Sequence, residues 1–218
     1  ALVRALTGID TDRLPEEKRR GMTIEPGFAA MQTVDGAWVD FVDLPGHERF
    51  ARHMLSGITA VDAALVVIAA DDGPMPQTHE HLAVLELLGL ERAAVVISKI
   101  DRRDPASLPV LAAEVDELLA RTSLRGAPIL PISVSTGQGL EPLHALIADW
   151  QRQAVRKPET QRFRLAIDRC FHQPGAGRIV AGTVMAGTVS EGDLLTAGPS
   201  GASVRVRGLQ VHGEAAAQ

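Results

Sequence analysis

Apolar strand-like runs alternate with helix-like runs through about residue 153, and this order predicts an α/β domain with a mainly parallel sheet covered by helices. The strand candidates are Trp38–Val42, Ala64–Ala69, Ala94–Ile97 and Ile129–Ile132. Helix candidates are Glu48–Leu55, Thr78–Leu88 (ended by Gly89), Leu108–Arg121 (Ser107 as N-cap, Pro109 in the first turn) and Leu140–Gln153. After Arg156-Lys157-Pro158-Glu159 the pattern shortens to β-rich segments separated by glycine turns: Phe163–Cys170, Arg178–Val184, Thr188–Val189, Asp193–Thr196 and Ser203–Gln210. These segments predict a small β-barrel that is incomplete at its C-terminal end. The expected organisation is an α/β domain over residues 1–155, a linker over 156–161 and a barrel domain over 162–218.

Composition narrows the function classes. With 218 residues, 45% of them hydrophobic, the chain can bury a sizeable core. The single cysteine, Cys170, excludes a disulfide framework within the chain and suits a reducing cytoplasm. The longest apolar run, Ala63–Ala70, is too short to span a bilayer, so no membrane role is expected. Residues 1–150 carry 13 Lys/Arg against 22 Asp/Glu, whereas residues 151–218 carry 9 against 5. The acidic body gives no general nucleic-acid footprint, and the mildly basic C-terminal part permits a local RNA contact.

The chemistry is concentrated where strands end. Residues 43–50, DLPGHERF, follow the strand Trp38–Val42 directly. An Asp leaving a strand can hold a water on Mg²⁺, and Gly46 lets its backbone N–H approach a phosphate oxygen. His47 then lies where an attacking water would sit. Upstream, Thr23 in Gly21-Met22-Thr23-Ile24 can offer its hydroxyl to Mg²⁺, although taken alone an ordinary loop threonine is the simpler reading. Ser98-Lys99-Ile100-Asp101 follows the strand Ala94–Ile97. There the Asp101 carboxylate can accept from guanine N1 and N2 while the Lys99 stem covers the purine face. Adenine lacks that donor pair. Ser133-Val134-Ser135 follows Ile129–Ile132 and can present backbone N–H groups to the base oxygen. Ligands of α/β sheets bind at the carboxyl ends of strands, where three of these four elements lie. The string G-x-x-x-x-G-K-[ST] that cradles nucleotide phosphates is absent. The chain instead opens on the helical pattern Ala1–Gly8 that would follow such a loop, so the sequence is expected to be a fragment without its first strand and phosphate loop. In this topology that strand is central, and its absence would leave two interior edges unpaired.

With these motifs in order, the chain resembles the translational GTPases, relatives of elongation factor Tu, over essentially its whole length. Within them it is most similar to the selenocysteine-specific elongation factors. Residues 6–29, LTGIDTDRLPEEKRRGMTIEPGFA, carry that likeness through their Asp-Arg-Leu spacing and Pro-Gly-Phe-Ala ending, whereas residues 71–78, DDGPMPQT, do not separate the two branches. Ser98 stands where the wider family has Asn, a departure shared by the selenocysteine branch, and it forgoes a tie between base loop and phosphate loop. Residues 165–169 and 175–184 resemble the barrel that binds aminoacyl-tRNA.

The resemblance implies a cytoplasmic, monomeric GTPase that cycles between GTP and GDP with Mg²⁺ and delivers selenocysteinyl-tRNA to the ribosome. Asp43 and Thr23 would serve the Mg²⁺, Gly46 the γ-phosphate, and His47 the hydrolytic water. Ser98, Lys99, Asp101, Ser133, Val134 and Ser135 would hold the base. Asp168 and Arg169 resemble a polar pair near the aminoacyl pocket, and an exposed strand pair is the plain alternative. Three other readings stay open: a general aminoacyl-tRNA carrier, the GTPase subunit of a sulfate-activating enzyme, and a fragment inactive towards nucleotide. The remaining features suggest structural roles. His53, His79, His81, His144 and His172 lack metal-ligand spacing, with His79 and His81 reading as capping or surface groups. Glu16–Arg20 reads as a solvated helix or a tRNA or ribosome contact, and Cys170 as a core residue.

Overall fold

The computed structural model describes residues 1–47, 61–154 and 161–217, and the helix expected at Glu48–Leu55 lies outside them. The chain divides into two compact units, Ala1–Ala154 and Val155–Gln218.

In the first unit, β3 (Ala64–Ala69), β4 (Ala93–Ser98) and β5 (Ile129–Pro131) form a parallel sheet in that order. Every residue from Ala93 to Ile97 is buried, which explains why β4 is a continuous apolar run rather than an alternating one: both its faces are covered. On one face Val66, Ile68, Val95 and Ile97 pack against α3 (Pro76–Leu87) and α4 (Leu108–Leu119) through Leu82, Leu85, Leu111, Val115 and Leu119. On the other, Val96 and Ile132 pack with Leu6 of α1 (Leu2–Thr7) and with Leu143 and Ile147 of α5 (Leu140–Arg152). The start of α3 is fixed by Thr78, whose Oγ1 accepts the Met75 N–H at 3.1 Å. Neither His79 nor His81 caps it.

β1 (Gly27–Gln32) and β2 (Trp38–Asp43) form a separate antiparallel hairpin. Its turn returns the Thr33 N–H to the Ala37 carbonyl, with Gly36 at φ 79°. Among the described residues no backbone ladder joins β2 to β3, so one edge of each lacks a strand partner there. Among the described residues side chains bridge the two ladders: Met31, Val39 and Phe41 of the hairpin join the cluster around Val96 and Leu143. Val67 on β3 is correspondingly 51% exposed. Residues 1–218 alone are therefore expected to give a broad, low-temperature melt by circular dichroism, and a sharp transition at high temperature would contradict this.

The second unit consists, among the described residues, of three antiparallel hairpins: β6 (Arg164–Gln173) with β7 (Gly177–Ala186), β8 (Leu194–Ala197) with β9 (Ala202–Arg205), and β10 (Leu209–Val211) with β11 (Glu214–Ala216). Two expectations need correction. Thr188–Val189 is not a strand, and Ser203–Gln210 is two strands interrupted at residues 206–208. The interruption arises because Val206 leaves its ladder to exchange backbone hydrogen bonds with Gly192 and Asp193. Cys170, expected in a core, is exposed on β6, because in a two-stranded ribbon no described element covers that position.

Candidate functional site

The residues expected to form the base loop lie at the C-terminal ends of β4 and β5. Lys99 takes a left-handed conformation, φ 57°, and a single 3₁₀ turn, Ile100–Arg102, follows it. Such a backbone costs a non-glycine residue on the order of 1 kcal/mol, and it turns the chain sharply away from the strand while Ile100 anchors in the core. Ser133 is fully buried, and its Oγ donates to Asp101 Oδ1 at 2.6 Å. Ser135 Oγ lies 2.9 Å from Ser133 Oγ, and the Thr136 N–H donates to the latter. Hydrogen bonding from Ser133 and then Ser135 keeps the Asp101 carboxyl below the usual aspartate range, so it stays an ionised, acceptor-only group. Asp101 itself is exposed, as are Val134 and Ser135. The structure thus brings Asp101, Ser133 and Ser135 together, with Lys99 adjoining.

Side-chain hydrogen bonds tie this loop to β3 and its end. Ser98 Oγ donates to the Ile68 carbonyl at 3.3 Å, so the short hydroxyl side chain turns to the neighbouring strand. Arg103 Nη1 donates to the Ala70 carbonyl. Lys99 Nζ reaches both Asp71 oxygens, at 3.1 and 3.2 Å, and this hydrogen bond is the main reason that the Asp71 carboxyl is held below its ordinary range. Asp71 adjoins the loop, and motif spacing had no means of pairing it with Lys99, because the two follow the ends of different strands.

The residues assigned to the phosphate side sit around the hairpin. Asp43 ends β2 and accepts a hydrogen bond on Oδ2 from Thr11 Oγ1. Thr23 donates through Oγ1 to Asp12 Oδ1 at 3.1 Å. Thr23 and Asp43 are therefore not bonded to each other, but each is held by one of two consecutive residues, Asp12 and Thr11. The turn that carries Thr23 is set by Glu17 of α2 (Pro15–Arg20). This carboxylate is 2% exposed and accepts from the backbone N–H groups of Leu14, Ile24 and Glu25 at 2.8, 3.0 and 3.1 Å. Burial alone would push its pKa up, but the N–H groups of Ile24, Leu14, Glu25 and Arg13 outweigh this, and it lies below the usual glutamate range. The expectation of a uniformly solvated Glu16–Arg20 helix is thus corrected at one position. An acidic residue at N3, after Leu14-Pro15-Glu16, was the available signal. Gly46 is exposed beyond buried Pro45, and His47 is half-buried.

Among the described residues no group of three His, Cys, Asp or Glu could enclose a metal ion. The carboxylate of Asp43 and hydroxyl of Thr23 are hard oxygen donors, a sparse set that fits Mg²⁺, which keeps several waters and takes further oxygens from phosphates.

In the second unit, Asp168 is the extra residue of a β-bulge: Ile167 pairs with Gly182 and Arg169 with Ala181. A Cβ on Gly182 would lie 2.0 Å from the Ala166 carbonyl oxygen, so the bulge requires glycine there. Consecutive strand residues normally point to opposite faces. The bulge re-aims them so that Arg169 Nε donates to Asp168 Oδ1 at 3.0 Å.

Residues 3–153 match the family profile described as the elongation factor Tu GTP binding domain. A selenocysteine-specific elongation factor of Desulfomicrobium baculatum is 44% identical over 99% of this chain and 34% of its own length. A crystal structure of a bacterial selenocysteine-specific elongation factor superposes with a TM-score of 0.93 at 34% identity, covering 99% of this chain and 37% of that one. The Methanococcus maripaludis factor SelB, in complex with the GTP analogue GppNHp, gives 0.85 at 31% identity over 99% of this chain and 45% of that one. The chain spans about a third of the length of the curated relatives it matches.

Proposed function

Because the chain belongs to the elongation factor Tu GTP-binding family, we propose that it acts in a GTP-dependent translation elongation factor that carries selenocysteinyl-tRNA to the ribosome and hydrolyses GTP to GDP as the release switch. The observation that carries the reading is the 44% identity to a selenocysteine-specific factor along almost the entire chain. The local geometry supports it on the base side, where a carboxylate kept ionised by two serines faces solvent at a strand end. Guanine offers two donors to such a group, and the Lys99 stem, steadied by Asp71, flanks the same loop.

On the phosphate side, Asp43 and Thr23 would hold Mg²⁺, which supplies charge neutralisation between phosphate oxygens. Gly46 gives its N–H to the terminal phosphate. His47 orients water for attack, so the contribution of the protein is positioning and no covalent intermediate forms. Loss of the terminal phosphate removes the contacts that order the Thr23 and Gly46 segments, and the change of order is the signal. Ser98, Val134 and Ser135 complete the base loop. Asp168 and Arg169, paired at the bulge, present a guanidinium suited to a selenolate, which forms at lower pH than a thiolate. Seryl-tRNA offers no such anion.

The test is the binding of selenocysteinyl-tRNA and seryl-tRNA by the full-length gene product with GTP bound. Preference for the selenocysteinyl form is expected, and equal binding of the two would reject the assignment. Residues 1–218 alone, which contain no phosphate-loop string, are expected to show no sub-micromolar affinity for GDP by titration calorimetry.

A further inference from the structure

The Thr11 hydroxyl has a defined partner and a space made for it. Thr11 is only 5% exposed although it lies in a polar segment between α1 and α2, and its Oγ1 donates to Asp43 Oδ2. In the hairpin register Gly27 stands directly opposite Asp43. A Cβ on Gly27 would come within 2.6 Å of Thr11 Cβ and 2.9 Å of the Thr11 carbonyl oxygen. Gly27 has no left-handed backbone to accommodate, so its lack of a side chain serves this close approach. The threonine thus lies over the glycine on β1 and reaches the carboxylate on β2.

We propose that Thr11 is a positioning residue for Asp43: it engages one carboxylate oxygen, fixes the rotation of the group and leaves the other oxygen directed for the Mg²⁺ hydration shell, with Gly27 providing the space. The inference rests on the reading of Asp43 as the Mg²⁺-side carboxylate. A carboxylate at a strand end that is only partly buried has several accessible rotations, and Mg²⁺ demands near-ideal octahedral geometry of its ligands and waters. An immobilised oxygen therefore lowers the Mg²⁺ concentration needed to bind triphosphate. Thr11 touches neither metal nor nucleotide in this scheme and acts through Asp43. Its neighbour Asp12 holds Thr23 in a comparable way, so the two consecutive residues set the two groups on the metal side of the site.

The experiment uses the full-length gene product and a fluorescent non-hydrolysable GTP analogue titrated at a series of Mg²⁺ concentrations, with a thermal melt of each variant. Thr11→Val keeps the shape and removes the donor. It is expected to raise the half-saturating Mg²⁺ concentration about tenfold, the lower end of what a hydrogen bond to a charged group contributes. Thr11→Ser restores the donor and should return the midpoint to near that of the unaltered protein. Gly27→Ala leaves the hydroxyl in the chain but fills its space, and should behave like Thr11→Val. Should T11V not fold, T11A and G27A carry the same expectation. An unchanged Mg²⁺ midpoint in T11V and G27A, alongside a lowered melting temperature, would overturn the proposal and leave Thr11 a packing residue. Asp43→Asn separates the two levels. A raised midpoint in D43N with none in T11V rejects the role of Thr11 alone, whereas no change in D43N rejects the Mg²⁺ reading of Asp43 and the proposal with it.

Discussion

Asp101→Asn in the full-length gene product is expected to weaken GDP binding by on the order of a hundredfold or more, while binding of xanthosine diphosphate improves. A site built around specific polar pairs loses discrimination sharply when one partner changes. The ionised carboxylate offers acceptors to guanine N1–H and the exocyclic N2 amine. An asparagine puts an amide donor against that amine, and the same donor suits the carbonyl that xanthine carries instead. The effect should reside in nucleotide affinity and not in folding, because Asp101 is exposed and Ser133 Oγ can donate to the asparagine oxygen as it does to the carboxylate. Equilibrium titration of both nucleotides against the variant decides the matter, and unaltered GDP affinity would remove Asp101 from the base site. Ser133→Ala gives an independent check. It takes the first and largest hydrogen bond from Asp101, so the carboxyl should titrate closer to its ordinary range and GDP affinity should fall at lower acidity than in the unaltered protein.

The second large effect concerns stability. Glu17→Gln is expected to cost about 2–3 kcal/mol, since several backbone N–H donors lose an ionised acceptor and one of them meets an amide donor. The consequence of pH follows from the depressed carboxyl pKa. The contribution of Glu17 is fully present above the unfolded glutamate value, about 4.3, and is lost as pH falls through the lower folded value. In E17Q that part of the acid sensitivity disappears. Denaturant melts of the full-length gene product and the variant at pH 7 and in the acid range measure both quantities. If the difference between the two proteins stays constant down to the lowest pH, Glu17 is not ionised in the fold. Because Glu17 fixes the backbone of Ile24 and Glu25, hydrogen exchange in the turn around Thr23 should also accelerate in the variant.

Much of the architecture was legible because its signals are local. The fully apolar Ala93–Ile97 declares a strand covered on both faces, and Leu140–Arg152 repeats its apolar residues at helical spacing with Leu143 and Ile147 buried on one face. The elements that escaped notice carry no such signal. β1 reads GFAAMQ, without a β-branched residue, and becomes a strand only through pairing with β2. Ala215–Ala217 has the composition of a short alanine tail, yet Glu214–Ala216 is a strand because it folds back on Leu209–Val211. Glu17 merged into a charged run, although its carboxylate is among the most enclosed groups of the first unit. Cys170 was misplaced because the apolar pattern around it says which residues form a strand and not whether anything covers that strand.

The sequence by itself determined the chemical types at the strand ends: Asp43, Gly46 and His47 after one strand, Ser98, Lys99 and Asp101 after another, Ser133–Ser135 after a third. For the last two groups order and spacing place the residues side by side, because the carboxyl ends of the parallel strands β4 and β5 lie on one side of their sheet, whereas Asp43 ends a strand of a separate antiparallel hairpin. The tertiary structure decided how those groups are held. Ser133 reaches Asp101 across 32 positions of sequence, Lys99 reaches Asp71 across 28, and Thr11 reaches Asp43 across 32 over a glycine that leaves it room. Hydrogen bonds of that kind depend on ångström-scale separations between elements distant in the chain, which no local pattern encodes.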